Sequence, residues 1–469
     1  MEITEQSIRH LVSEVVKQLD LGGSNGSSTR GIFPNIDAAV QAAKTAHREL
    51  LGMKLETRAR LVTALRDAVT ANLEMLSKKA VEETGFGNWR DKVLKNRVAA
   101  LLTPGTEDLQ PTCYTDDHGL TLMERAPYGV IGAITPSTNP TATIINNAIG
   151  MIAGGNSAVF NVHPGAKQVS ATAISLLNDA ILKAGGPANM LTGVSDPTIQ
   201  SAQELMAHRD VALLVVTGGP GVVREAMKHG KKVIAAGPGN PPCVVDETAD
   251  LAKAGRDIVA GAGFDNNIVC ICEKEILAVE SIADQLKAEI VKNGGRELSG
   301  AEIDKATELV IAEPGGPGKE GMPNKKWVGK DAALIAREIG VEVPADTRIL
   351  VCEVGQDHPL VWTEQLLPVI PLVRIHDADS AIDLAFRCEQ GFRHTAVMHS
   401  RNIETLSRMA KLMNCSVFVK NGPCYSGLGH GGAGFTSFTI ASPTGEGMTR
   451  ARTFTRERRC TLVDYFRIV

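Results

Sequence analysis

The chain has 469 residues, 43% of them hydrophobic, and sets 49 Lys and Arg against 53 Asp and Glu for a formal net charge of −4. A single core stops growing beyond roughly 250–300 residues, so two or three domains are expected, and the near-balanced charge gives nucleic acid no compositional support. The nine cysteines (113, 243, 270, 272, 352, 388, 415, 424 and 460) form no CxxC pair, which argues against disulfide stapling or structural zinc and for a reduced cytoplasmic protein; no apolar run approaches the roughly 18 residues of a membrane span, and the start lacks the basic residues of a signal peptide.

Residues 4–20 place Ile8, Leu11, Val12, Val15, Val16 and Leu19 at three-four spacing, the pattern of an amphipathic helix. A Gly/Ser linker over 21–30 follows, so the helix at 1–20 is expected to be a tethered, partner-binding tag. From Asp37 to Leu101 the pattern is helical, clearest from Arg58 to Leu76, and it then changes period. Thr112 to Ala126 alternates around Asp116-Asp117-His118-Gly119, which predicts a β-hairpin arm at about 108–127. Strands are expected at Val130–Ile134, Ser157–Val162, Val211–Val216, Lys232–Ala235 and Cys243–Val245, separated by helices, an alternation that implies a parallel α/β sheet.

The second half repeats that style. Strands are expected at Ile276–Val279, Arg348–Cys352, Val369–Val373, Ala396–His399 and Cys415–Val419, and helices at Ser281–Asn293, Asp331–Ile339, Ala378–Phe386 and Ile403–Met413. The fold class is thus α/β with two parallel-sheet domains, 31–245 and 246–452, plus a β arm. Gly/Pro-rich stretches at Pro314–Gly318 and Gly427–Gly434 read as loops. The strand-like end, 453–469, is expected to pair with the hairpin of another copy in a homo-oligomer.

Three stretches carry chemistry. Thr217-Gly218-Gly219 closes an apolar strand and leads into a helix through Val222, where backbone N–H groups can meet a phosphate, although the spacing is not GxGxxG. Thr135-Pro136-Ser137-Thr138-Asn139-Pro140 closes another strand, and its two prolines can aim the Asn139 amide into a cleft as a donor to a developing oxyanion. Cys270 and Cys272 follow Asp265-Asn266-Asn267 at an expected loop-to-strand junction, where either sulfur is a candidate nucleophile. In an extended segment, side chains two apart share a face, so geometry read from sequence leaves both open.

The order of these signals, Pro-x-x-Asn-Pro, Thr-Gly-Gly, the cysteine stretch and Glu364-Gln365-Leu366-Leu367-Pro368, resembles the aldehyde dehydrogenase superfamily over residues 31–469. Asp-Asn-Asn-x-x-Cys-x-x-Glu-Lys-Glu, Ala441–Gly447 and the N-terminal tag are similar to one branch, the CoA-acylating propionaldehyde and acetaldehyde dehydrogenases of bacterial microcompartments. The resemblance implies that Cys270 is the nucleophile, that Asn139 and the Cys270 N–H hold the oxyanion, and that no metal takes part. It implies NAD as cofactor, with Glu364 at the nicotinamide ribose, Thr217, Gly218, Gly219 and Val222 at the pyrophosphate turn, Thr135, Pro136 and Ser137 along the strand end, and His163 and Pro164 on the adenosine side. It further implies CoA as co-substrate, a short-chain aldehyde as substrate, propionaldehyde ahead of acetaldehyde, shell proteins as partners of residues 1–20, and residence in the compartment lumen. Hydrolytic members carry a general-base glutamate in Glu-Leu-Gly-Gly-Lys, whereas this chain reads Ala235-Ala236-Gly237-Pro238-Gly239-Asn240-Pro241, so a thiol rather than water is expected to take the acyl group. His394 and His430 are secondary candidates for the substrate tunnel.

Overall fold

The computed structural model describes residues 30–469; the helix expected at 1–20 and nearly all of the 21–30 linker lie outside the described residues. Four helices, Ile36–Leu51, Leu55–Ala71, Leu73–Thr84 and Trp89–Leu102, follow a short strand β1 (Ile32–Phe33). Next come β2 (Thr112–Asp116), β3 (Gly119–Pro127), β4 (Val130–Thr135), β5 (Ser157–Val162), β6 (Leu191–Val194), β7 (Val211–Thr217) and β8 (Lys232–Ala236). The strands β1-β6-β5-β4-β7-β8 pair in that order into one six-stranded parallel sheet.

β4 and β5 are buried at every residue, as expected of parallel strands covered on both faces. Alternation sorts their side chains: Val130 and Ile134 join Ile36, Val40 and Ala43 on one face, while Ile131 and Ala133 pack with Leu61, Leu65, Ile145 and Ile174 on the other. The chain winds outward from β4 through β5 to β6 and returns to β7 on the opposite side of β4. This order reversal opens a crevice at the carboxyl ends of β4 and β7, where open α/β sheets bind ligands.

The second sheet holds β9 (Pro242–Val245), β10 (Glu275–Val279), β11 (Gly295–Leu298), then, beyond a small antiparallel pair β12 (Ile311–Glu313) and β13 (Met322–Pro323), β14 (Ile349–Glu353), β15 (Val369–Ile375), β16 (Thr395–His399) and β17 (Val417–Lys420). Its order is β11-β14-β15-β10-β9-β16-β17, and its pairings are parallel. The boundary expected near 246 is therefore corrected, because β9 pairs with β10 and β16 and the chain enters the second sheet at Pro242. A short apolar run such as Pro242-Cys243-Val244-Val245 fits either sheet, so only its partners assign it.

The hairpin β2–β3 forms as expected. After a short pair, β18 (Ile440–Ala441) and β19 (Gly447–Met448), the strand β20 (Thr455–Val463) adds to β3 of the same chain along its length. Pairing of the 453–469 segment with another copy is thus replaced by pairing within the chain. Leu462, Val463, Tyr465, Phe466, Ile468 and Val469 remain exposed at its end.

Candidate active site

The two sheets meet at a cavity of about 260 Å³. From the first sheet come the loop after β4 (Pro136, Thr138, Asn139) and the turn after β7 (Thr217, Gly218, Gly219, Pro220). Ala236 ends β8 of the first sheet, and the second sheet contributes the segments ahead of three adjacent strands: Gly237 and Pro238 before β9, Ile268–Ile271 before β10, and Glu364 and Leu366 before β15.

Asn139 occupies the N-cap of helix Pro140–Ala153, and Pro140 fixes the first helical residue without needing a donor. Its side chain makes no capping bond, and the residue lines the cavity. Asn139 Nδ2 lies 3.3 Å from Thr138 Oγ1, and Asn139 Oδ1 accepts from Lys95 Nζ at 2.6 Å.

Between helix Leu251–Ala262 and β10 the backbone is irregular rather than extended. Asp265, Asn266 and Asn267 take left-handed conformations with φ of 49°, 56° and 64°, which Asp and Asn tolerate better than bulkier residues. Asn267 Nδ2 donates to the carbonyls of Ala262 (2.8 Å) and Glu273 (2.9 Å), while buried Lys274 donates to the Asn267 carbonyl (2.7 Å). The Cys272 N–H closes a turn on the Val269 carbonyl at 3.0 Å. This winding separates the two sulfurs. Cys270 is half-buried on the cavity wall, whereas Cys272 is fully buried with its thiol toward the Phe264 carbonyl at 3.6 Å.

Burial, followed by the charge of Glu364, pushes the Cys270 thiol up to about 12, with Lys274 opposing. Burial likewise raises the Glu364 carboxyl to about 7, against the Lys274 charge and a 3.3 Å hydrogen bond from the Gly239 N–H. Without a ligand, the site thus favours a protonated thiol beside a carboxyl that titrates near neutrality.

Of the residues singled out from sequence, Cys270, Asn139, Pro136, Thr217, Gly218, Gly219 and Glu364 share this cavity. Thr135, Ser137, His163, Pro164 and Val222 do not line it. Thr135 is buried at the end of β4, His163 and Pro164 are exposed beyond β5, and Val222 packs against the core on one face of the first sheet. The stretch Ala235–Pro241 brings no carboxylate. Besides Glu364, the wall carries Glu320, missed because Gly/Pro-rich flanks read only as a surface loop, Leu428, in a Gly-rich stretch that likewise read only as a loop, and Ser437, Phe438 and Ile440, which no local pattern marked.

A second cavity of about 10 Å³ is lined by Leu94, Lys95, Val98, Phe264, Tyr425 and His430, together with Leu428 and Phe438, which also border the first. His430 packs on Tyr425 with ring centroids 5.5 Å apart. His394 lines neither cavity: it is fully buried, its Nδ1 pairs with Thr395 Oγ1 at 2.8 Å, and its Nε2 has no protein partner. Burial lowers it to about 4, so it is neutral at physiological pH.

The model of the aldehyde dehydrogenase family matches residues 28–313. An acetaldehyde dehydrogenase (acetylating) of Bilophila wadsworthia is 49% identical over the full length of both chains. Among solved structures, a propionaldehyde dehydrogenase of Rhodopseudomonas palustris with bound CoA and an acylated cysteine matches with a TM-score of 0.90 at 48% identity, covering 92% of this chain and 98% of that one. A propionaldehyde dehydrogenase of the Clostridium phytofermentans fucose utilisation bacterial microcompartment has a TM-score of 0.90 at 44% identity, covering 94% and 100%. A cysteine and an amide converging on a crevice at a strand-order reversal, together with these matches, place the chain in the aldehyde dehydrogenase family.

Proposed function

We propose that the protein oxidises a short-chain aldehyde, propionaldehyde or acetaldehyde, and transfers the acyl group to CoA, using NAD and a thioester on Cys270. The observation that carries this reading is that Cys270 and Asn139 line one cavity, to which the Ala235–Pro241 stretch brings Ala236, Gly237 and Pro238 and no carboxylate to activate water. The chain's residues fit a dinucleotide. A Cβ on Gly219 would meet nothing within 4 Å and one on Gly218 only Val222 at 3.9 Å, so both glycines border open space. Buried Glu364 keeps acceptor capacity beyond its single bond from Gly239.

Cys270, once ionised, adds to the aldehyde carbonyl, and the Asn139 amide with the Cys270 N–H stabilises the oxyanion. A nicotinamide dinucleotide bound in the crevice supplies a hydride acceptor. Collapse of the tetrahedral adduct leaves the acyl group on Cys270 Sγ. The CoA thiol loses its proton, attacks that thioester and releases Cys270 as thiolate. The similarity to an acetylating enzyme and to propionaldehyde enzymes keeps two- and three-carbon aldehydes in the reading.

Product analysis tests it. Without CoA, NADH formation should stop after roughly one turnover per Cys270, and adding CoA should restore steady turnover with acyl-CoA matching NADH. Continued NADH formation with free acid in the absence of CoA would refute the acylating reading. Residues 1–20 are proposed to direct the enzyme, as a homo-oligomer, into a microcompartment. Their deletion should leave turnover intact and abolish co-purification with shells, and unchanged packaging would remove that role.

A further inference from the structure

Beneath Asn139 lies a buried charge cluster that the acylating reaction, as described, leaves unused. Lys92 and Lys95 stand three residues apart on helix Trp89–Leu102, hence on one face, each 2% exposed. Asp265, fully buried, receives both: Lys92 Nζ lies 2.9 Å from Oδ2, and Lys95 Nζ bonds the same oxygen. The other oxygen, Asp265 Oδ1, accepts the Asn88 N–H at 2.8 Å. Two cations on one carboxylate leave a buried surplus positive charge, and burial lowers Lys92 to about 8. Lys95 directs its remaining donors at Asn139 Oδ1, 2.6 Å away, and at the Thr138 carbonyl, 3.5 Å away.

We propose that Lys95 is a positioning residue for catalysis: by donating to Asn139 Oδ1 it fixes which way the amide faces and turns Nδ2 toward the site where the aldehyde oxyanion forms. An ammonium has donors and no acceptor, so the amide atom facing it must be the oxygen. The opposite orientation would set Nδ2 against a buried cation and point a carbonyl oxygen at the developing negative charge. The same contact draws electron density from the amide and strengthens its N–H as a donor, as in chains of coupled hydrogen bonds. Asp265 belongs to the left-handed turn that leads to Cys270, so one carboxylate ties the amide's support to the nucleophile's segment. Lys92 shares Asp265 but makes no hydrogen bond to Asn139, and serves as the internal control.

This inference rests on the aldehyde-oxidising reading, and its test separates the two. Full-length wild type, Lys95→Met, Lys92→Met, Asn139→Ala and the Lys95→Met/Asn139→Ala double variant are assayed with propionaldehyde, NAD+ and CoA. Loss of one oxyanion donor costs about 10²–10³ in kcat, and Lys95→Met should fall in that range. In the Asn139→Ala background the same change should cost less than about threefold, because nothing remains to orient. A Lys92→Met/Asn139→Ala double variant completes the control: Lys92→Met, whatever it costs in stability, should combine additively with Asn139→Ala. Alkylation of Cys270 by iodoacetamide, which forms no oxyanion, should differ by less than about twofold between wild type and Lys95→Met. Should Lys95→Met fail to fold, Lys95→Gln keeps an uncharged donor and should lose an intermediate amount, again only when Asn139 is present. Additive losses in the Lys95→Met/Asn139→Ala double variant, or a Lys95→Met enzyme within threefold of wild type, would overturn the role of Lys95 alone. A wild type that makes neither NADH nor acyl-CoA would overturn the functional reading and this inference with it.

Discussion

Replacing Gly239 with alanine tests how tightly the backbone beneath the nucleophile is packed. A Cβ at position 239 would sit 3.0 Å from the Cys270 carbonyl oxygen and 3.0 and 3.1 Å from Cγ and Cβ of His394. Optimal carbon contacts lie near 3.5–4.0 Å, so the new methyl is short of room by about half an ångström or more on the histidine side. His394 has little freedom to yield: it is fully buried, its N–H donates to Glu389 Oε1 at 2.8 Å, and its ring is held by Thr395. The displacement therefore falls on the Cys270 carbonyl. Overpacking of this kind costs about 1–3 kcal/mol. Unfolding entropy grows with chain length, so in a protein of this size each kcal/mol lowers Tm by only about 1 °C. Catalysis is the more sensitive readout, since a misplacement of about 1 Å costs about 10²-fold and half of that about tenfold. Steady-state kinetics with aldehyde, NAD+ and CoA, read beside a thermal melt, should show kcat down about tenfold and Tm down about 1–3 °C. A Gly239→Ala enzyme with wild-type kcat and Tm would refute the packing argument.

Two further outcomes follow from charge. Glu364→Gln removes a negative charge that raises the Cys270 thiol, so more thiolate is present at a given pH. Alkylation of the ligand-free variant at pH 8 should be about three- to tenfold faster than wild type, a tenfold change corresponding to about one pKa unit; an unchanged rate would mean that burial alone sets the thiol. His399, buried in β16 with Nε2 unpartnered, is lowered by burial from 6.5 to about 4. Between those values the unfolded chain binds the extra proton, so this contribution is complete above about pH 6.5 and is lost as pH falls toward 4. Glu273, Glu364 and Glu389, each raised to about 7, act in the opposite sense, so the pH slope of the whole protein does not isolate the histidine. The difference between wild type and His399→Gln does. From pH 7 to 5 wild type should lose about 2 kcal/mol relative to the variant in urea unfolding, and parallel curves would show that His399 is not held neutral.

Local pattern made much of the frame legible. Short apolar runs marked β4, β5 and β7, and three-four periodicity marked helix Ile403–Met413, each within a residue or so, because strands covered on both faces read as unbroken apolar stretches and the helix buries a face that its own sequence displays. The short strands β1, β6 and β11 passed unseen. Two to four residues carry too little period, and Gly193 and Gly295 interrupt what there is. Helix Pro140–Ala153, buried at every position, displays no polar face to reveal its period.

The site divides in the same way. By itself, the sequence determined the residue types and their order: a cysteine behind Asp-Asn-Asn, an amide between prolines, a Thr-Gly-Gly turn, and no glutamate across 235–241. Only the tertiary structure decided which of these converge. It set Cys270 on the cavity and Cys272 in the core, because three consecutive left-handed residues and a closing turn wind a segment whose course the sequence alone left open. It moved β9 into the second sheet and drew β20 back onto its own hairpin. It also brought Lys95 against Asn139 and Asp265, 44 and 170 residues away along the chain, through contacts among buried charges that leave no periodic trace in a sequence.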